Sequence, residues 1–137
     1  MLVDTNIIVY ALNRESPKYK IAHELIDSNE GKFVIAQQNI FECLRIITHP
    51  VFPQHMQMPT AIDLMQKALP FFSIIGPNIT THIIAFELIQ EYAITENNVY
   101  DAFLVATMLS NDIDSIYTDN DRHFSKFEMI RVINPFK

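Results

Sequence analysis

The chain is poor in the residues that would staple it, bend it or charge it positively. It has one cysteine, Cys43, and two glycines, Gly31 and Gly76, among 137 residues. A lone cysteine has no intrachain partner, so no disulfide framework holds this fold. Two glycines are too few for the many tight turns of an all-β protein. No apolar run reaches membrane-spanning length before a charge interrupts it, which predicts a soluble protein. No basic, then apolar, leader precedes the first strand-like residues at Met1, and with the unpaired cysteine this predicts a cytoplasmic location. Basic residues are also scarce: 10 Lys and Arg against 16 Asp and Glu, a formal charge of −6. That balance excludes gripping nucleic acid by bulk positive charge, because phosphate binding usually leaves a basic footprint. What is present is 49% hydrophobic residues in a length that buries a core unaided, so one domain over residues 1–137 is expected.

Strand-like and helical segments alternate. MLV reads as a short buried strand, followed by a helix from Asn6 to about Leu12 and a second helix opened by Ser16 and Pro17. Gly31 breaks the chain before a second strand, FVIA, and helical spacing returns from Gln37 to Ile47. The segment HPVFPQHMQMP is too rich in proline for a helix and is read as a loop, with Phe52, Met56 and Met58 as candidates for an exposed partner surface. Thr60 is expected to cap TAIDLMQKAL, which Pro70 ends. FFSII is a third strand, and a helix beginning at Asn78 or Thr80 runs to Tyr92. A helix near Asn98 carries VYDAFLVATML; the strand SIYT, the turn DNDRHF and a last strand MIRVI complete the chain. This pattern predicts an α/β fold of three layers, with a central, mostly parallel, five-stranded sheet between helices.

In open parallel sheets the functional crevice lies outside the carboxyl ends of the strands. Asp4 follows the first strand and Thr118 to Asp121 follow the fourth, so both are expected at that edge. Asp101 stands three residues after the expected cap Asn98, and Glu42 lies on a polar stripe with Gln38, Arg45 and His49. Each acid has an ordinary structural use: helix capping for Asp4 and Asp101, a solvated face or weak pair with Arg45 for Glu42, turn chemistry for Asp119 and Asp121. None of these uses explains why the acids converge on one cleft. Carboxylates about 4 Å apart repel by roughly 4 kcal/mol at an effective dielectric near 20, so a gathering of them calls for cations or protons. Oxygen ligands of this kind suit Mg²⁺ or Mn²⁺ over zinc, and such ions hold phosphate oxygens, the chemistry of phosphodiester hydrolysis. His49, His55, His82 and His123 fall on no common helix face at ligand spacing, and Cys43 has no partner that would make it a nucleophile.

The motifs MLVDTNIIVYAL, NIFECLRIITHP, YDAFLVATML and IYTDNDRHF, in that order and over nearly the whole chain, resemble a PIN-domain ribonuclease. Within that family the sequence is most similar to the VapC-type toxins of type II toxin–antitoxin pairs. The resemblance implies Asp4 and Asp101 as the main metal ligands, with Glu42 supporting the metal or its water. The fourth position of the family pattern is here Asn120, flanked by Asp119 and Asp121; either acid is expected to add charge, with Asn120 as hydrogen-bonding support. Thr5, Asn6 and Thr118 are expected to fix the carboxylates by hydrogen bonds. Arg45, His49, Arg122 and His123 are candidates for contacts to RNA phosphates. The implied activity is Mg²⁺- or Mn²⁺-dependent hydrolysis of single-stranded RNA by a homodimer neutralised by a cognate antitoxin. An RNA-processing PIN nuclease without an antitoxin would carry the same acids, and a PIN fold that had lost catalysis would act as a protein- or RNA-binding module. A haloacid dehalogenase-like phosphatase requires a second Asp where this chain has Asn6, and a 5′-nuclease-like enzyme requires DNA-binding elements for which there is no room.

Overall fold

The computed structural model describes residues Met1–Lys137. Strands β1 (Leu2–Val3), β2 (Phe33–Ala36), β3 (Phe72–Ile75), β4 (Ser115–Tyr117) and β5 (Arg131–Ile133) form one sheet in the order β3-β2-β1-β4-β5. Every pairing is parallel, with Leu2 opposite both Val34 and Ile116. Helices α1 (Thr5–Leu12), α2 (Tyr19–Asp27), α3 (Gln37–Ile47), α4 (Met58–Ala68), α5 (Thr81–Glu91), α6 (Val99–Ser110) and α7 (Asp121–Phe124) connect or cover the strands. The expected three-layer α/β fold is the fold observed.

β1 shows how the layers separate. Successive strand side chains point to opposite faces. Leu2 therefore enters one core with Ala85 and Leu88 of α5, Leu104, Val105 and Met108 of α6, and Phe124 and Phe127. Val3 enters the other, with Ile7 and Ile8 of α1, Ala22 of α2, Cys43 of α3 and Met65 of α4. Both β1 residues are fully buried, the setting in which a strand reads as an unbroken apolar run. No helix is long and apolar enough to cross a membrane.

Several boundaries differ from the sequence reading for local reasons. α4 begins at Met58, not Thr60, because Pro59 occupies the first turn, where a missing N–H costs nothing. Asp4 itself caps α1, so that helix starts one residue before Asn6. Phe52 packs against the Val3 core and is no surface anchor, whereas Met58 is exposed. Gly31, at φ +76°, makes the left-handed turn that feeds β2.

The order of strands places the crevice. From β1 the chain builds outward to β2 and β3, then crosses over to β4 and β5 on the other side. The order reverses between β1 and β4, and crevices open at such a switch point. Asp4 and Thr118 each follow one of those two strands directly, and the backbone N–H of Asp4 donates to the Tyr117 carbonyl (3.0 Å).

Candidate active site

At the switch point lies an open cleft of about 690 Å³, walled by α3 on one side and the start of α6 on the other. Glu42 and Asp101 face each other across it, and Asn120 and His123 close one end. Asp4 is the deepest of the acids, 6% exposed and behind the open wall. Its Oδ1 accepts the Thr5 backbone N–H (2.8 Å), and its Oδ2 accepts the Thr118 hydroxyl (2.7 Å). Asp4 is thus both the cap of α1 and a member of the acid cluster, uses that the sequence offered as alternatives.

A continuous hydrogen-bond system sets the angles of these acids. The Thr118 hydroxyl that donates to Asp4 accepts from Asn6 Nδ2 (3.3 Å) and from the Asn120 backbone N–H (3.0 Å). The Thr5 hydroxyl donates to Glu42 Oε2 (2.7 Å) and accepts from Asn39 Nδ2 (3.1 Å), while Gln38 Nε2 donates to Glu42 Oε1 (2.7 Å). Asn39 and Gln38 are site residues the sequence analysis passed over as partners of the acids. Their signal was the i, i+4 spacing of Gln38 and Glu42 and a polar Asn39 among the buried positions of α3.

Glu42 pairs with Thr5 and Gln38 and makes no ion pair with Arg45, so it is not part of a simple solvated stripe. Asp101 is equally unlike a capping acid. Asn98 makes no side-chain cap bond, and the Asp101 carboxylate points to His123 Nδ1 at 3.3 Å. Burial raises the pKa of Asp101, opposed by His123 and Lys126 and reinforced by Glu42. Burial likewise pushes Asp4 up to about 6; its hydrogen bonds from Thr118 and Thr5 oppose this, and the charges of Glu42 and Asp101 add to it.

The flanking acids of the TDND turn go elsewhere. Asp119 Oδ2 accepts from the Tyr10 hydroxyl (2.8 Å) and pairs with the Lys18 ammonium, and Asn134 Nδ2 reaches its Oδ1 (3.3 Å). Asp121 pairs with Lys137 (3.1 Å) and accepts from Asn134 (3.0 Å). Neither lines the cleft, and both are held below the usual carboxylate range, Asp119 by Lys18, Tyr10 and Asn134 against the upward pull of burial, Asp121 by Asn134 and Lys137. Asn120 is the residue of the turn that faces the cleft. Among the candidate phosphate contacts, Arg45 and His123 line it; Arg122 does not, and His49 accepts the Val51 N–H in the turn after α3. Cys43 is fully buried, and burial raises its thiol pKa, which leaves it inert.

The donor chemistry fits a hard divalent cation. Glu42 and Asp101 line the cleft with Asp4 buried behind it; after burial itself, the charges of both raise the cost of ionising Asp4, and that of Glu42 raises the cost for Asp101, which a cation would relieve. The Gln38 side-chain oxygen beside Glu42 is buried without a hydrogen-bond partner, a further neutral oxygen at the same place. No three His, Cys, Asp or Glu side chains are drawn together as a closed ligand set.

Fold and cleft together define an α/β protein with a carboxylate-lined switch-point crevice. The PIN-domain family model matches residues 1–128, and the chain belongs to that family. Ribonuclease VapC48 of Mycobacterium tuberculosis is 27% identical over 139 aligned positions, covering 97% of this chain and 95% of the relative. Among solved structures, FitAcB from Neisseria gonorrhoeae superposes with a TM-score of 0.74 at 16% identity, covering 98% of this chain and 97% of the other. A toxin–antitoxin complex from Klebsiella pneumoniae gives 0.71 at 20% identity, covering 99% and 98%. VapC20 of Mycobacterium tuberculosis, a sarcin–ricin loop cleaving toxin, gives 0.69 at 17% identity, covering 95% and 98%.

Proposed function

We propose that the chain is a Mg²⁺- or Mn²⁺-dependent endoribonuclease that hydrolyses single-stranded RNA, the toxin of a VapBC-type pair. The observation that carries this reading is the grouping of Glu42 and Asp101 on the cleft with Asp4 buried behind it, each oriented by a hydrogen bond from Thr5 or Thr118 or by His123. The likeness to Ribonuclease VapC48 over nearly the full length of both chains supports RNA as substrate and a toxin's role. A bound divalent cation supplies positive charge that polarises the phosphodiester and makes water acidic enough to attack near neutral pH. Asp4 and Asp101 would hold that cation, with Glu42 supporting it or its water. Thr5 and Thr118 keep two of the carboxylates from turning, and Asn120 presents an amide to the substrate side of the cleft. Arg45 supplies positive charge, and His123 a ring nitrogen, that meet the phosphate backbone.

The remaining assignments follow from this reading: one catalytic domain over residues 1–137, a cytoplasmic location, a homodimer and a cognate antitoxin partner. Ile79, Ile83 and Phe86, exposed along α5 and just before it, offer apolar surface for the second copy. The test is cleavage of a mixed RNA pool by the purified chain. Unpaired RNA should be cut with Mg²⁺ or Mn²⁺, spared in EDTA, and protected when annealed to its complement. Cutting that persists in EDTA would overturn the metal assignment, and equal cutting of the duplex would overturn the preference for single strands.

A further inference from the structure

Two large aromatic side chains stand exposed in the acidic cleft: Phe41 at 69% and Tyr100 at 61%. They are its only apolar lining, and each directly precedes an acid of the site, Phe41 before Glu42 on α3 and Tyr100 before Asp101 on α6. Adjacent helical positions lie about 100° apart, so each aromatic flanks its acid on the same helix. Gln38 ties the two walls together, donating to Glu42 (2.7 Å) and to the Tyr100 carbonyl (3.2 Å) from one amide. The aromatics therefore have a fixed relation to the carboxylates. Neither belongs to a core cluster, so folding does not account for them.

Resting on the ribonuclease reading above, we propose that Phe41 and Tyr100 stack the bases of nucleotides flanking the scissile phosphate, one on each wall, so that the cleft accepts only a strand whose bases are unpaired. An exposed π-face beside a phosphate-processing site suits a base, because every base offers a flat face whatever its sequence. Arg45, one turn beyond Phe41 on α3, places positive charge on the same wall for the backbone between stacked bases. A helical peptide would instead require several aliphatic anchors at helical spacing. This cleft offers two aromatic faces separated by carboxylates.

The test compares kcat/KM of wild type, Phe41→Leu, Tyr100→Leu and the double variant on one cleavable oligoribonucleotide with Mg²⁺. Each leucine variant should lose roughly 5- to 150-fold, the range for one base–aromatic stack. Phe41→Tyr and Tyr100→Phe should stay within about threefold of wild type, since they keep a ring. An oligonucleotide with abasic riboses on both sides of the cut should slow wild type by a comparable factor yet slow the double leucine variant little further, because the same contact cannot be lost twice. Both aromatics are exposed, so the variants should melt with wild type. If wild type cuts but neither leucine variant is slower, the stacking proposal falls while the ribonuclease reading stands. If wild type cuts no RNA with metal, both fall.

Discussion

A carboxyl group at 6% exposure, with Glu42 and Asp101 nearby, ionises against its surroundings; Asp4 titrates near 3.8 in an open chain and near 6 in the metal-free fold. Between those values the folded state holds the extra proton, so stability falls as pH rises through that window. Ionised Asp4 at neutral pH then costs the metal-free fold on the order of 3 kcal/mol. Asp4→Asn keeps an acceptor for the Thr5 N–H and removes the charge. In EDTA at pH 7 it should melt above wild type, by roughly 5 °C or more, with the gap closing near pH 4. A lower melting temperature than wild type at pH 7 would contradict the account of Asp4. Thr118 works in the opposite direction, since its hydroxyl favours the charged form of Asp4. Thr118→Val should cost about 1–3 kcal/mol by stranding buried partners, and the acid limb of the pH–rate profile should move to higher pH. An unmoved limb would show that Thr118 does not tune Asp4.

At the scale of elements, the TDND turn is legible only in part: its place at the carboxyl edge of β4 follows from the sequence, whereas the choice among Asp119, Asn120 and Asp121 does not. Successive side chains in a turn point in different directions, and the deciding partners are remote: Lys18 is 101 positions from Asp119, and Lys137 is 16 from Asp121. Lys18 also lies over the rings of Tyr10 and Phe136, so Asp119 helps fasten the C-terminal segment to α1. Asp119→Asn should therefore lower stability by about 1 kcal/mol while leaving cleavage within a few-fold of wild type. Because Asp119 is held below its ordinary pKa, the stability it contributes is present above pH 4 and fades as the solution is made more acid. A large loss of cleavage with unchanged melting would return Asp119 to the active site. The start of α4 differs from its expected place for a nearer reason: Pro59, one of the prolines that make the preceding segment read as a loop, is at home in a first helical turn.

For the whole molecule, the alternation of apolar strands with amphipathic helices was enough to give the sheet, its layers and the edge where the acids meet. The pairing of β1 with both β2 and β4 was not legible locally, because it depends on which strands the long crossover brings together. The carboxyl edge of the sheet is legible without that pairing, because functional crevices in parallel sheets lie outside the carboxyl ends of the strands, where Asp4 and Thr118 stand. The net charge of −6 has its own consequence. With Arg45 and His123 in the cleft and Lys126 close enough to act on Asp101, few phosphates can be neutralised. The slope of log affinity against log salt for single-stranded RNA should be about −2 or shallower, at roughly −0.7 per phosphate contact. A slope several-fold steeper would reveal a basic surface outside the cleft.

The most direct test of the carboxylate centre is Mg²⁺-supported cleavage of one RNA by wild type, Asp4→Asn and Asp101→Asn, with each variant's fold checked by thermal melting. The account predicts that both variants remain folded and lose cleavage by at least about 100-fold, since shape is kept and one ligand charge is removed. A folded Asp4→Asn or Asp101→Asn protein that cuts as fast as wild type would contradict it.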